Sequence, residues 1–196
     1  MPALLPGAVR RVRREFGAAV AVACLCAGAI GTAARAAWSP CQDANLSPNA
    51  ANAGRVDAAT LCLIDRLRAA YHLRPLRANG ELRRLATRQV NDMVSWNYFA
   101  DDRPPGLTPL ALIASTRYRS HAKSLSVGQN IGWGTGPYAT AASMVAGWMA
   151  SPGHREIILT GEYREAGVGV APALPPLLGQ ELGGATYAIE FAARRF

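Results

Sequence analysis

The chain predicts an α+β domain in which helices come first and strands come late. Three observations carry this reading. Apolar residues recur at helical spacing in separate stretches between Val56 and Ala150. Strand-like alternation appears only near the end, at Val168 and Val170 and again at Tyr187, Ile189 and Phe191. The two alternating runs are joined by residues 172–184, rich in proline and glycine, which suits a long hairpin and hence an antiparallel sheet. A length of 196 residues favours one domain, and no internal repeat divides it. Half the residues are hydrophobic and 17% are charged, which excludes a disordered chain, a collagen and a coiled coil.

The formal charge of +8 points first to nucleic acid, but its distribution does not. Arg10, Arg11, Arg13, Arg14 and Arg35 all precede residue 37, and the remainder carries 16 basic against 12 acidic side chains. Those are scattered, and the focused basic stripe that nucleic acid needs is missing. The same arginines open a leader. They precede an uncharged apolar stretch over 17–32, and Ala34 and Ala36 offer small residues for cleavage. Residues 1–36 therefore read as a signal peptide, with an uncleaved anchor as the other possibility. Arg13-Arg14 leaves the twin-arginine route open beside the general one. After cleavage no apolar run is long enough to span a membrane.

Cys24 and Cys26 fall in the leader, and neither follows a lipobox. Cys41 and Cys62 remain, an even pair in an exported chain. The expectation is a disulfide, with two free thiols as the alternative.

Residues 37–55 have no periodicity and read as an irregular arm, so the folded domain is expected over 56–196. Val56, Leu63, Leu67 and Ala70 predict a first helix ending near His72, with Asp57 or Thr60 as its cap. Asn79 caps a second helix whose inward face holds Leu82, Leu85, Ala86, Gln89 and Met93. That places an amide in the interior, where it must find partners. Thr108-Pro109 predicts the start of a third, short helix. Residues 116–127 read as irregular, and 127–136 as a glycine-rich stretch with no phosphate-cradling motif. A helix is expected over 138–150, broken by Ser151-Pro152-Gly153 before a brief turn with His154.

Several of these segments together resemble the CAP superfamily (cysteine-rich secretory, antigen 5 and pathogenesis-related proteins) in its short bacterial secreted form. Leu73-Arg74-Pro75-Leu76 stands where "GL.PL" is usual. Ala86 through Met93 resembles the "A..HA.DM" helix, and Asn97-Tyr98-Phe99-Ala100-Asp101 stands for "NYFSH". Gly128-Gln129-Asn130-Ile131 is similar to "GENIA", and Trp148 through Arg155 to "WMNSPGHR". Tyr163 to Val170 and Tyr187 to Phe191 resemble the two closing strands. The resemblance implies a three-layer α-β-α sandwich with a central antiparallel sheet. It also implies export, and a central cleft that in many members holds histidines and acidic residues and can bind a divalent metal. Some members bind lipids in separate grooves, and others act through protein partners.

This chain departs from that pattern in the cleft. Asp101 replaces the "NYFSH" histidine, Gln129 the "GEN" glutamate and Gln89 the helix histidine, while His154 stands as in the family. Zinc takes three or four imidazole, thiolate or carboxylate ligands, and only Asp101 and His154 qualify. No cofactor is therefore expected, a zinc ion being the weaker possibility. The cleft set is Gln89, Asp101, Gln129, Asn130 and His154. Asp101 and His154 are also the candidates for an acid–base pair. Ser126 and Ser151 lack the setting of a nucleophile. Three functions compete. The favoured one is a secreted, non-catalytic binding module for a lipid, a cell-wall component or a protein. The second is an exported hydrolase or metal-dependent enzyme using His154 and Asp101. The third is an envelope protein held by its leader.

Overall fold

The computed structural model describes residues 40–179 and 183–196. The expected leader over residues 1–36, with Cys24 and Cys26, lies outside them. Among the described residues the helices are α1 (Ala53–Ala70), α2 (Gly80–Ser95), α3 (Pro109–Ala114), α4 (Ala141–Ala150) and α5 (Pro152–Leu159). The strands are β1 (Arg77–Ala78), β2 (Ser124–Thr135), β3 (Glu165–Ala171) and β4 (Gly184–Arg195), in sheet order β1-β3-β4-β2. The three long strands pair antiparallel, and β1 adds two residues parallel to β3.

Strand parity sorts the sheet into two faces. Val168, Val170, Tyr187, Ile189 and Phe191 join α1, α4 and α5 in one core, with Ile64, Val145, Trp148 and Ile158. The opposite face carries Ala171, Ala188 and Ile131 against Ala86, Val90 and Met93 of α2. Below it, Ala192 meets Leu82, Ile113 and Tyr118. The result is helices, sheet, helices: the three layers that the resemblance implied.

Local chemistry explains the ends of the elements. Asn79 accepts from the Glu81 and Leu82 amides at 3.0 and 3.2 Å, and Thr108 accepts from Ala111 at 3.2 Å, both as expected. The first helix differs. It begins after Asn52, whose side chain is engaged with the turn before it, through the Asn49 amide and the Ser47 carbonyl. Asp57 and Thr60 lie inside the helix instead. Asp57 binds Arg83 of α2, and Thr60 bonds back to the Val56 carbonyl. The Cys41–Cys62 disulfide is present and fastens the arm to α1. Closing a loop of 21 residues stabilises by about 3 kcal/mol in the chain-entropy picture. Ser151-Pro152-Gly153 ends α4 as expected. The segment after it is a helix, α5, rather than a brief turn, because Pro152 sits at its first position, where no amide is needed.

Arg68 is wholly buried, and among the described residues no carboxylate pairs with it directly, Asp65 acting only at longer range. Its guanidinium donates to the carbonyls of Arg74, Ile158, Thr160 and Tyr163, at 2.7 to 3.4 Å. Two of these belong to the end of α5, where the helix dipole favours a cation. One side chain thus ties α1, α5 and the entry to β3.

The largest departure is β2. It takes in the end of the stretch that reads as irregular, 116–127, and the glycine-rich residues after it, for which the sequence predicts no element, as one twelve-residue strand. Glycine inside a strand marks a place where another backbone or ring comes close. A Cβ at Gly128 would lie 2.4 Å from the Tyr163 hydroxyl. The approach is closer still on β3. A Cβ at Gly167 would sit 1.9 Å from the Arg83 amide nitrogen, and one at Gly169 2.3 Å from that of Thr87. Here the obstacle is backbone, which cannot swing aside. Gly167→Ala should therefore push α2 off the sheet and lower stability by at least about 2 kcal/mol, read as a fall in the urea midpoint. An unchanged midpoint would contradict this packing.

Candidate functional site: the cleft at the free edge of β2

β2 is an outer strand, and along its free edge runs an open cleft of about 640 Å³. The loop after α2 supplies one wall through Phe99, Ala100 and Asp101. Helices α4 and α5 supply the other through Met144, Trp148, Ser151 and His154. Ile131 and Gly132 form the floor, and Trp133 and Tyr138 stand on the lip.

The five residues expected here divide by role. Asp101 and His154 line the cleft directly, from opposite walls. Among the described residues no hydrogen bond or ion pair joins them, so the expected pair shares a space without forming a dyad. The three amides stand behind the walls. Gln89 is buried on α2, and its Nε2 donates to the carbonyls of Ala100 at 3.0 Å and Asp101 at 3.2 Å. Asn130 lies on the other face of β2, and its Nδ2 donates 3.1 Å to the His154 carbonyl. Each cleft residue is thus held through its backbone by a buried amide from a neighbouring element.

Gln129 leads to a residue that sequence reasoning missed. Register places Glu190 of β4 directly across from it, and Gln129 Nε2 donates 2.6 Å to Glu190 Oε1. A carboxylate thus stands beside Gln129 after all, on the adjacent strand, buried behind the cleft rather than lining it. No cation faces it. Burial pushes the Glu190 carboxyl up to about 7; the Gln129 bond opposes that shift and the charge of Asp101 adds to it. The second oxygen of Glu190, and Oε1 of both Gln89 and Gln129, are buried without partners. The region is rich in acceptors and poor in donors, so a proton on Glu190 relieves it. The parity of Ala188, Glu190 and Ala192 held a signal: one carboxylate among small residues on a buried strand face.

Zinc chemistry fits this set poorly. Among the described residues no three His, Cys, Asp or Glu side chains gather as a ligand group, and Gln129 is turned to Glu190.

The raised Glu190 fixes a pH dependence. The native state binds its proton more tightly than the unfolded chain does. The associated stability is complete below about 4.5 and is lost as pH rises through about 7. Thermal midpoints should fall between pH 5 and pH 8, and Glu190→Gln should remove most of the fall, worth roughly 3 kcal/mol. Asp57, raised to about 6 by burial against the pull of Arg83, leaves a smaller residual slope in that variant. A wild-type slope that persists whole in Glu190→Gln would refute the assignment.

Comparison with known proteins agrees with this architecture. The profile of the CAP family, described as the cysteine-rich secretory protein family, matches residues 61–173. An extracellular protein of Bacillus anthracis containing an SCP domain superposes with a TM-score of 0.56 at 20% identity, over 76% of this chain and 44% of its own. An outer surface protein of Borrelia burgdorferi gives 0.54 at 16%, over 69% and 90%. A cysteine-rich secretory protein of Staphylococcus aureus gives 0.51 at 19%, over 74% and 40%. The chain thus spans less than half the length of the Bacillus and Staphylococcus proteins, and these likenesses speak for the fold. A search of proteins with curated functions returns no match. The profile covers more than half of the chain, and the fold is shared with these proteins: this chain belongs to the CAP, or cysteine-rich secretory protein, family.

Proposed function

We propose that the chain is an exported, non-catalytic binding module whose ligand surface is the β2 cleft. One observation carries the reading. The two side chains fit for chemistry, Asp101 and His154, are not bonded to each other, while the buried amides behind them hold their backbones in place. That is how a wall of fixed shape is built, and a preorganised wall serves recognition. Export is supported by the Cys41–Cys62 disulfide and by the extracellular or surface descriptions of the Bacillus and Borrelia proteins. The signal-peptide reading of residues 1–36 agrees with it. Among the described residues no helix is long and apolar enough to cross a membrane.

The competing reading is a hydrolase or metal-dependent enzyme, and it rests on His154 and Asp101 lining one cleft. Two substitutions and one titration separate the two. His154→Ala removes a half-buried ring, and its melting midpoint should stay within about 1 kcal/mol of wild type. Asn130→Ala removes the second bond to the His154 carbonyl, which α5 itself still satisfies, and should cost about 1 kcal/mol. Zinc added to chelator-treated, oxidised protein should give only heat of dilution in calorimetry. Micromolar zinc binding that vanishes in His154→Ala would favour the enzyme instead.

A further inference from the structure

We infer that the β2 cleft takes a glycan, specifically a chain of uncharged 2-acetamido sugars, an inference that rests on the binding-module reading. The aromatic lip is the first ground. Trp133 is 44% exposed and Tyr138 72% exposed, both lining the cleft. The chain's other described tryptophans are engaged. Trp148 packs edge-on against Tyr187, and Arg103 covers Trp96 at 4.6 Å. Among the described residues no second ring or cation lies over Trp133 or Tyr138. The backbone at Tyr138 is held against β2, where a Cβ at Gly134 would lie 2.2 Å from the Tyr138 carbonyl. Exposed, flat, half-polar rings beside a cleft suit a ligand with alternating C–H faces and hydroxyl edges.

The charge on the walls narrows the ligand further. Among the described residues the cleft is lined by one carboxylate, Asp101, and one imidazole, His154, and by no arginine or lysine. A phosphate- or carboxylate-bearing polymer would meet a carboxylate with no clear cation to receive it. Sugar hydroxyls and an amide N–H can instead donate to Asp101, with the Ser151 hydroxyl on the facing wall, while that of Ser143 is already bonded to the Pro137 carbonyl. The apolar floor of Ile131, Gly132 and Met144 suits an acetyl methyl.

A peptide is disfavoured by the strand itself. An added strand would need the free-edge carbonyls of β2. Tyr163 already donates to that of Val127 at 2.9 Å, and the Trp148 indole to that of Ile131 at 2.9 Å. An acyl chain is disfavoured because the cleft is an open trough, where much of the chain would stay wet.

The test uses the oxidised full chain and three probes: tri-N-acetylchitotriose, polyglycerol phosphate and phosphatidylcholine vesicles. Chitotriose should change tryptophan emission and titrate with a Kd of roughly 0.1–1 mM. Trp133→Ala and Tyr138→Ala should each weaken it about tenfold, with melting midpoints unchanged because both rings are exposed. No binding below about 10 mM, or affinity unchanged in both variants, would overturn the inference. Polyglycerol phosphate or vesicles bound in place of chitotriose, and lost in Trp133→Ala, would overturn the glycan while leaving the binding module standing. Chitotriose bound at the lip and then cleaved would uphold the ligand class and overturn the non-catalytic reading.

Discussion

The contact on which the structure turns is the seating of α2 on β3. At Gly167 and Gly169 the helix backbone lies where a side chain would have to be. No other residue type permits that approach, so two missing Cβ atoms set the distance between the upper layer and the sheet. That distance brings Leu82, Ala86, Val90 and Met93 into full burial. It also lets Gln89 reach across to the chain beyond its own helix and hold the Ala100–Asp101 wall. Without close seating, Glu190 would be wet and its carboxyl would titrate normally.

The lower layer is secured differently. There Arg68 replaces close backbone contact with four carbonyl bonds that gather the ends of α1 and α5. A buried cation satisfied only by neutral acceptors tolerates little displacement, because each lost bond leaves a charge unsolvated. The lower helices are therefore fixed at the end away from the cleft. Their other ends, carrying Met144, Trp148 and His154, are fixed by Asn130 and by the Trp148 indole bond to Ile131. The cleft is a seam between two independently anchored layers, with the edge of β2 as its floor.

That construction explains why the substituted cleft keeps its shape. Gln89 holds the Asp101 wall and Asn130 the His154 wall, while Gln129 faces away toward Glu190. Amides give direction without charge, so they can hold loops at any physiological pH. The one ionisable member, Glu190, sits where its proton is worth keeping. In the proposed module, recognition falls to the exposed groups on the walls and lip, which take little part in holding the fold.

Much of this was legible in the sequence. The caps at Asn79 and Thr108, the inward Gln89, the break at Ser151-Pro152 and the alternation in β3 and β4 follow from local rules that need no tertiary context. So does the Cys41–Cys62 pairing, given an exported chain. The glycine-rich β2 was not legible, because glycine carries no strand propensity, and its role appears only when Tyr163 lies against it. The cap of α1 was misplaced because Asp57 serves a tertiary partner, Arg83, rather than the helix start. Glu190 was invisible for a related reason. Cross-strand register, not sequence spacing, puts it beside Gln129, 61 residues away. The sequence by itself determined the helices α1 to α4, the strands β3 and β4 and which of their side chains face inward, since periodicity and caps are short-range. Only the tertiary structure decided which of those inward groups meet, because layer spacing and register depend on the whole sheet at once.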